Sequence, residues 1–275
     1  MAVTLGANAY DALAPDYDAQ LAQNPVAVWM RAILWEHFVS VFPPRGRILD
    51  LTAGTGADAC FLAARGFRVT ALDASAGMIV ELEKNATRRG LQIDARVLAA
   101  EHLSELDVRD FDGVISTFAG LNTIENLPTL ARELTTCVRP RGRVIVHALG
   151  EFCLWESVAN LLRHRGRRDG TMRVGAASVA HRLYNPYTLW RDTFAPNFEL
   201  RQVYGLSLIV APALVKRVPT LAPALFRADL VLGNLFPAAG DFFVLDLERR
   251  DEGSYTEQRP DELCGSNGGD ETRQV

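Results

Sequence analysis

The chain has 275 residues, of which 48% are hydrophobic and 23% are charged, with a formal net charge of −4 at pH 7. The length suits one large α/β domain, and the hydrophobic share is ordinary for a globular protein, so no second cofactor-binding domain is required. The negative charge and a pI near 5.8 argue against a nucleic-acid surface as the main partner, because such surfaces are basic.

Cysteine content and hydropathy indicate the cellular compartment of the protein and whether it spans a membrane. The four cysteines show no metal-ligand spacing, which favours a reduced, cytoplasmic setting and predicts no bound metal. The first residues lack a basic start followed by an apolar core, and no run approaches the ~20 apolar residues of a membrane span. We therefore predict a soluble protein without a membrane span.

Residues 1–45 are predicted to form an N-terminal helical cap. Apolar residues from Val26 to Val41 recur at helical spacing, which predicts a helix packed on a sheet. Pro43 and Pro44 follow this helix and end it, because proline lacks the N–H that a helix interior requires.

Gly46–Ser75 is the stretch around which the rest of the chain is arranged. An apolar run, a glycine-bearing turn, a segment of helical composition and a second apolar run predict strand, tight loop, helix and strand. The first strand includes Asp50 near its end, and the second stops on Asp73. The four segments are Arg47–Leu51, Thr52–Gly56, Ala57–Arg65 and Phe67–Leu72.

The two glycines of this turn, Gly54 and Gly56, predict a ligand site. Without a Cβ atom they let the backbone approach a ligand closely and turn into the helix. The first N–H groups of that helix have no partner inside it and can bind the ligand. Asp73, at the tip of the second strand, is placed to accept both hydroxyls of a ribose. We therefore predict a ligand that contains a ribose.

Two cofactor classes use a site of this kind. Gly54–Ala59 fits the dinucleotide fingerprint, and Asp73 lies 19 residues beyond Gly54, as NAD binding requires. The spacing alone therefore does not separate the two classes. The first class is the dinucleotides, and the second is a ribose-containing cofactor that carries an ammonium and a sulfonium. Asp50, just before the turn, favours the second class, because a carboxylate is unfavourable beside a pyrophosphate but suits these positive charges.

The predicted core continues to residue 150 as alternating helices and strands. This alternation predicts a parallel sheet wound right-handedly, with ligands bound beyond the carboxyl ends of its strands. The predicted elements are a helix over Ala76–Arg89 and strands over Ile93–Leu98, Gly113–Phe118 and Arg143–Leu149. Five residues fall at or just past strand ends and should line one rim: Asp50, Asp73, Ala100, Thr117 and His147.

The pattern changes after residue 150. We predict an insertion over 151–197, closing strands with a helical insertion over 198–250, and a disordered tail over 251–275, which has no apolar pattern. The insertion is predicted to contain a helix over Glu151–Leu162, an exposed basic loop over Arg163–Gly170 and a short helix over Tyr187–Phe194. The closing strands are predicted over Phe198–Val210 and Asp241–Glu248, with two short helices over Pro212–Phe236 between them.

Six short motifs occur in order along residues 10–150. They are Tyr10–Asp18 (YDALAPDYD), Leu49–Gly56 (LDLTAGTG), Ala71–Ser75 (ALDAS), Ala99–Leu103 (AAEHL), Phe111–Phe118 (FDGVISTF) and Val138–Val146 (VRPRGRVIV). Their content and order resemble the small-molecule type of class I (Rossmann-like) S-adenosylmethionine-dependent methyltransferase.

This resemblance implies a doubly wound, seven-stranded, mostly parallel sheet with an antiparallel last strand and helical lid insertions. It implies S-adenosylmethionine as cofactor and a lid or substrate wall over 151–197. Ala99 replaces the acidic residue that bonds the adenine amine in the family, so Glu101 or backbone groups take that contact. The implied cofactor-binding residues are Tyr10, Tyr17, Asp50, Thr52, Ala53, Gly54, Gly56, Asp73, Ala74, Met78, Ala100, Glu101, Thr117 and Phe118.

Methyl transfer from this cofactor needs little from the protein beyond alignment and a dry, apolar pocket. A general base is required only where the nucleophile keeps its proton. The candidates are His147 first, then His181 and Tyr184. The sequence shows no catalytic His–Asp pair or metal cluster, so metal-dependent catechol methylation is disfavoured.

We predict an S-adenosylmethionine-dependent methyltransferase that methylates a small, apolar biosynthetic intermediate at O, N or C by in-line transfer. One alternative is a protein that binds this cofactor without methylating, as a cyclase, a rearrangement catalyst or a regulator. The other is an NAD-dependent oxidoreductase. The apolar Pro212–Phe236 segment predicts either a wall for an apolar substrate or a homodimer interface.

Overall fold

A seven-stranded sheet with helices on both faces forms the centre of the protein. The computed structural model describes residues 5–153, 170–174 and 177–251. The strands are β1 Arg47–Asp50, β2 Arg68–Asp73, β3 Asp94–Val97, β4 Phe111–Ser116, β5 Val138–Leu149, β6 Gly170–Val174, β7 Ala177–His181, β8 Phe198–Leu206 and β9 Phe242–Arg249. The α-helices are α1 Leu5–Ala22, α2 Pro25–Val41, α3 Ala57–Ala63, α4 Ala76–Arg88, α5 Leu127–Cys137, α6 Pro186–Leu189, α7 Pro212–Arg217 and α8 Ala222–Leu235.

The strands lie in the order β3-β2-β1-β4-β5-β9-β8. β1 to β5 are parallel, whereas β9 runs antiparallel to both β5 and β8. This arrangement confirms the predicted doubly wound sheet with an antiparallel last strand. The strand order reverses at β1, which pairs with both β2 and β4, so a ligand crevice is expected beyond the carboxyl ends at this point.

Both faces of the central strands are buried. Leu49 and Val114 face a core cluster that includes residues of α5, whereas Ile48 and Ile115 face a cluster that includes residues of α2 and α3. Successive residues of a strand point to opposite faces, so a strand covered on both sides needs apolar residues at every position. This explains why these strands were recognisable as continuous apolar runs.

Two helices precede the sheet. α2 was predicted from Val26 and begins at Pro25, where a proline is tolerated because the N–H groups of the first turn have no partner inside the helix. The side chain of Asn24 caps α2 by accepting hydrogen bonds from the N–H groups of Val26 and Ala27. α1 packs against α4 and against the β6–β7 hairpin. The boundaries 1–45 for an N-terminal cap stay a prediction.

A buried carboxylate joins α2 to the sheet. Asp246 of β9 is fully buried and accepts two hydrogen bonds from the Arg143 guanidinium of β5. Its Oδ2 lies 2.8 Å from Nε2 of His37 on α2. Breaking a buried network of this kind typically costs about 3–5 kcal/mol, so Asp246 holds α2 firmly against the sheet.

The insertion after β5 contains a β-hairpin that the sequence did not predict. β6 and β7 pair antiparallel, with Gly170 opposite His181 at the open end. The predicted helix over Glu151–Leu162 has not begun by residue 153, and the rest of it lies outside the described residues, as does most of the predicted basic loop. The short helix predicted over Tyr187–Phe194 is present as α6 and a wider turn that follows it.

The helices predicted between the closing strands are present as α7 and α8. α8 packs on β8, and its Phe226 stacks on Trp29 of α2 with ring centroids 4.7 Å apart. Of the helices in the described part of the chain, none combines the length and the hydropathy needed to cross a bilayer.

Candidate active site

The carboxyl ends of the parallel strands bring most of the predicted site residues to one rim. Asp50 ends β1 and Asp73 ends β2, and the two strands are paired in register. Thr117 directly follows β4, and His147 lies near the end of β5. On the glycine turn, the N–H of Ala53 donates to the carbonyl of Leu72 at 2.8 Å, which fixes the turn against β2.

Asp50 is a buried carboxylate without a hydrogen-bond partner among the described residues. The residue is 1% exposed, and neither side-chain oxygen meets a donor with hydrogen-bond geometry. Burial raises the pKa of Asp50 well above its ordinary value, and the nearby Asp58 carboxylate raises it further; the Thr52 N–H, which is close but misses hydrogen-bond geometry, and Arg31 act against both. An unpaired buried carboxylate is costly, so the position suits a cationic ligand group.

Asp73 is held in place by the two loops beside it. Its Oδ2 accepts the Gly54 N–H at 2.8 Å, and its Oδ1 accepts the Ser75 N–H at 2.9 Å. Burial raises the pKa of Asp73, and these two N–H groups partly oppose the rise. The hydrogen bonds fix the position of an acceptor at the tip of β2, as the ribose prediction requires.

The start of α3 requires glycine. Gly56 caps the helix with φ of 81°, in the left-handed region that L side chains rarely adopt. A Cβ atom at this position would lie 2.4 Å from Cγ of Leu82 on α4. The loop can therefore turn into α3 beneath α4 only with glycine here.

Two aspartates of α1 hold this helix against the glycine turn and against the loop between β2 and α4. The Asp11 carboxylate accepts the Ser75 hydroxyl and, at 2.7 Å, the Gly77 N–H at the start of α4. Asp18 accepts the hydroxyl of Thr55 on the glycine turn. These aspartates lie in the YDALAPDYD motif, from which only the tyrosines were assigned a role.

The two tyrosines of α1 lie at the site. Burial raises the pKa of Tyr10 to about 12, with Tyr17 and Asp73 contributing. Burial also raises the pKa of Tyr17. The ring of Tyr17 lies 4.0 Å from the point that a Cβ atom on Gly54 would occupy. Both phenols therefore stay protonated near neutral pH.

A second polar cluster, which the sequence did not reveal, lies between α2 and α3. The Asp58 carboxylate accepts the Trp35 indole N–H and the Thr117 hydroxyl, each at 2.7 Å. Arg31 Nε is 3.6 Å from Asp58, and its guanidinium lies 4.4 Å from the Phe118 ring centroid. The Nε atom is buried and makes no hydrogen bond with the described residues. The sequence signal for this cluster was Arg31, a lone arginine inside the apolar pattern of α2.

His147 holds the loop after β4 and is poorly suited to act as a base. Its Nδ1 accepts the Phe118 N–H at 3.2 Å, so the neutral ring carries its proton on Nε2. The residue is fully buried, and burial lowers the pKa of His147 to about 3. Phe118 and Ala119 have φ of 48° and 67°, a strained conformation that this contact helps to hold. The neutral ring can donate a hydrogen bond from Nε2, and the general-base role of His147 stays a prediction.

We expect the His147 ring to stay neutral, with its proton on Nε2, from about pH 5 to pH 8, because burial disfavours the charged form. NMR of protein labelled in its histidine nitrogens measures this directly. The exposed His102, next to Glu105, serves as an internal reference that titrates. Protonation of His147 near pH 6.5 would contradict the assignment.

The other two catalytic candidates lie where the hairpin rejoins the sheet. His181 ends β7, and Tyr184 bridges to Gly150 just after β5. The buried Asn122, which sequence reasoning missed, joins the two segments: its amide nitrogen donates to the carbonyls of Leu149 and Arg182. Catalytic roles for His181 and Tyr184 stay predictions.

The other predicted cofactor-binding residues lie beyond β1, β2 and β3. Ala100 is buried and Glu101 half-buried in a 3-10 turn, and the N–H of Leu98 donates to the Asp73 carbonyl. Met78 is buried in the first turn of α4, whereas Ala74 is exposed. Thr52 bonds to Ser116, with 3.0 Å between the hydroxyl oxygens, so it also lies at the rim.

Comparison with known proteins identifies the class of domain. Residues 48–142 match the family described as "Methyltransferase domain". A demethylmenaquinone methyltransferase from Clavibacter sepedonicus is 38% identical over 111 residues, 39% of this chain and 43% of the relative. A ubiquinone biosynthesis O-methyltransferase from Maricaulis maris is 32% identical over 126 residues, 44% and 49% of the two chains. The chain thus spans about half the length of these relatives or less.

A solved structure shows the same fold. The 1,6-didemethyltoxoflavin-N1-methyltransferase of Burkholderia thailandensis, crystallised with S-adenosylhomocysteine, superposes with a TM-score of 0.53 at 17% identity, covering 90% of this chain and 88% of the other. Residues 48–142 thus carry a methyltransferase domain of the class I, S-adenosylmethionine-dependent kind. The match of this domain confirms S-adenosylmethionine as the predicted cofactor.

Proposed function

We propose that the protein transfers the methyl group of S-adenosylmethionine to a small, apolar acceptor at the rim of the sheet. The observation that best supports this proposal is the unpaired carboxylate of Asp50, which is buried at the point where the strand order reverses. A carboxylate without a partner fits a cofactor that carries both an ammonium and a sulfonium. Asp73, fixed by two backbone N–H groups, fits the ribose hydroxyls.

Arg31 is proposed to bind the carboxylate of the cofactor's amino-acid part. Its guanidinium lies beside Asp58 and Phe118, and its Nε is buried without a hydrogen bond among the described residues. A guanidinium can bind a carboxylate through two hydrogen bonds, which fixes orientation as well as charge. Asp50 and Arg31 would then hold the two charged groups of the amino-acid end.

We expect Arg31→Met to weaken S-adenosylhomocysteine binding by about tenfold, because it removes a charge-assisted contact. Calorimetric titration gives the Kd of each variant. Arg132→Met, which removes an exposed arginine from α5, is the matched control and should leave the Kd unchanged. Equal Kd values for the Arg31 variant and the unmodified protein would contradict this role.

The acceptor is proposed to be a hydroxylated aromatic ring of the quinol or phenol type, methylated on carbon or oxygen. S-adenosylmethionine brings a methyl group already activated by the sulfonium beside it. The rim offers an apolar wall: Phe118 meets His147 edge-on, and Phe242 stacks on the other side of the imidazole. An acceptor that ionises readily suits a site whose buried histidine is a weak base. The names of the two relatives support this acceptor class.

Cofactor binding and methyl transfer are tested separately. Calorimetry should give a Kd for S-adenosylhomocysteine in the micromolar range and no binding of NADH; the reverse result would overturn the proposal. Incubation with methyl-labelled cofactor and quinol acceptors should then move the label to the acceptor. Binding without transfer to any acceptor would favour the non-methylating alternative. The cytoplasmic setting, the homodimer and the exclusion of nucleic acid stay predictions.

A further inference from the structure

The outward face of α8 is apolar, which is unusual for a helix on the surface of a domain. The exposed residues of the helix recur at helical spacing and include Ala224, Arg227, Ala228, Val231 and Leu235. A surface helix ordinarily places charged and polar residues on its outward side. On α8 the inward side packs on β8, whereas the outward side is mostly apolar, with Arg227 and Asn234 as its polar residues.

Large apolar side chains are well exposed on this face. Val231 is 61% exposed and Leu235 is 66% exposed. The residues that flank the helix continue the pattern, with Leu221 56% exposed before it and Phe236 58% exposed after it. We name these four residues the α8 apolar face. Exposed apolar residues grouped on one element mark an interaction surface.

The exposed charges of the segment 207–240, which contains the α8 apolar face, are all positive. They belong to Lys216, Arg217 and Arg227. Asp229 is the only acidic residue between residues 207 and 240, all of which the structure describes. Its carboxylate is fully buried and accepts the N–H groups of Ser207, Ile209 and Val210. A chain with a net charge of −4 therefore presents a basic and apolar patch here.

Two connections link this patch to the proposed active site. The chain runs from Phe236 into β9, whose first residue, Phe242, stacks on His147 with ring centroids 4.7 Å apart. On the other side, Phe226 of α8 stacks on Trp29 of α2, the helix that carries Arg31. A partner bound to α8 would therefore sit beside the wall of the acceptor site.

We propose that the α8 apolar face docks on the surface of an anionic lipid bilayer. Exposed Leu, Val and Phe side chains partition into the boundary between headgroups and acyl chains, and neighbouring Lys and Arg side chains are attracted to anionic headgroups. A two-fold dimer through this face would instead bring the basic residues of both copies together, which is unfavourable. Docking here places the site next to the apolar phase. This last step rests on the proposed function, because it supplies an apolar acceptor from the bilayer.

Vesicle sedimentation with the full chain tests the proposal. The protein should sediment with vesicles of phosphatidylcholine and phosphatidylglycerol, and much less with phosphatidylcholine alone. Leu235→Ser combined with Phe236→Ser should reduce partitioning at least about tenfold. Lys216→Glu combined with Arg217→Glu should remove the preference for anionic vesicles. Val97→Ser is the matched control, since Val97 is 56% exposed on β3, at the opposite edge of the sheet from β8.

Two results would overturn the proposal. The first is that the protein does not bind anionic vesicles, or that the α8 substitutions leave its binding to them unchanged. The other is a dimer in analytical ultracentrifugation that the Leu235 and Phe236 substitutions dissociate, because a second copy would then cover the face. Calorimetry with S-adenosylhomocysteine on the same preparations confirms that the variants are folded. It also separates a failure of membrane docking from a failure of the proposed function.

Discussion

Asp50→Asn is expected to weaken S-adenosylhomocysteine binding about a hundredfold and, at the same time, to stabilise the ligand-free protein. The loss of affinity follows from removing the carboxylate proposed to pair with the ligand ammonium. The gain in stability follows from removing a buried, unpaired ionisable group, as is common where a binding site conflicts with stability. Calorimetry measures the Kd, and thermal unfolding measures the change in Tm.

The pH dependence of both effects has a defined sign. The pKa of Asp50 is raised in the folded protein, so its contribution to stability is greatest below the unfolded-state pKa and is lost as pH rises. The Tm advantage of Asp50→Asn should therefore grow between about pH 5 and pH 8. Over the same range, ligand affinity should rise with pH in the unmodified protein, because the cation requires an ionised Asp50, and should change less in the variant.

Asp16→Asn is the matched control for this prediction. It removes one carboxylate from an exposed position of α1 and should change neither the Kd nor the Tm. An Asp50→Asn protein that binds the ligand as tightly as the unmodified protein would remove the main support for the proposed cofactor position. A lower Tm for that variant at pH 8 would show that the carboxylate has a stabilising partner.

Gly56→Ala is expected to cost about 2–4 kcal/mol of unfolding free energy, a large share of the stability of an ordinary domain. Two causes add: the left-handed backbone at φ of 81°, and a Cβ atom 2.4 Å from Cγ of Leu82. Denaturant unfolding gives the free energy. Cofactor binding should weaken as well, since the glycine turn must shift to relieve the contact.

Gly66→Ala separates the two causes. Gly66 has a similar φ of 86°, but a Cβ atom there meets nothing within 4 Å. Its substitution should show the backbone cost alone, about 1 kcal/mol. Adding Leu82→Ala to Gly56→Ala should recover part of the lost stability relative to the sum of the two single changes. Equal costs at Gly56 and Gly66 would show that the contact with Leu82 relaxes freely.

The sheet and half of the site could be predicted because their signals are local. The central strands contain short apolar runs, and Asp50 and Asp73 come at the ends of β1 and β2. Parallel strands place such ends on one edge, so a motif read along the chain becomes a cluster in space. The glycine turn likewise depends on the conformations open to its own residues.

The rest of the site depends on contacts between residues far apart in the chain. Asp58 meets Trp35 and Thr117, which lie 23 and 59 residues away. The role of His147 is fixed by a backbone N–H 29 residues away, and no property of the histidine itself reveals that partner. The β6–β7 hairpin did have a local signal that we did not weigh, because Thr171–Val174 alternates polar and apolar residues and Gly175 follows.

The fastening of α1 has a consequence for the pace of turnover. If the cofactor lies beneath this helix, spent S-adenosylhomocysteine can leave only when Asp11, Asp18 or both release the loops that they hold. Release of S-adenosylhomocysteine would then require α1 to move away from the two loops. Under the proposed function, we expect Asp11 and Asp18 to influence the rate of product release through their hydrogen bonds to the two loops.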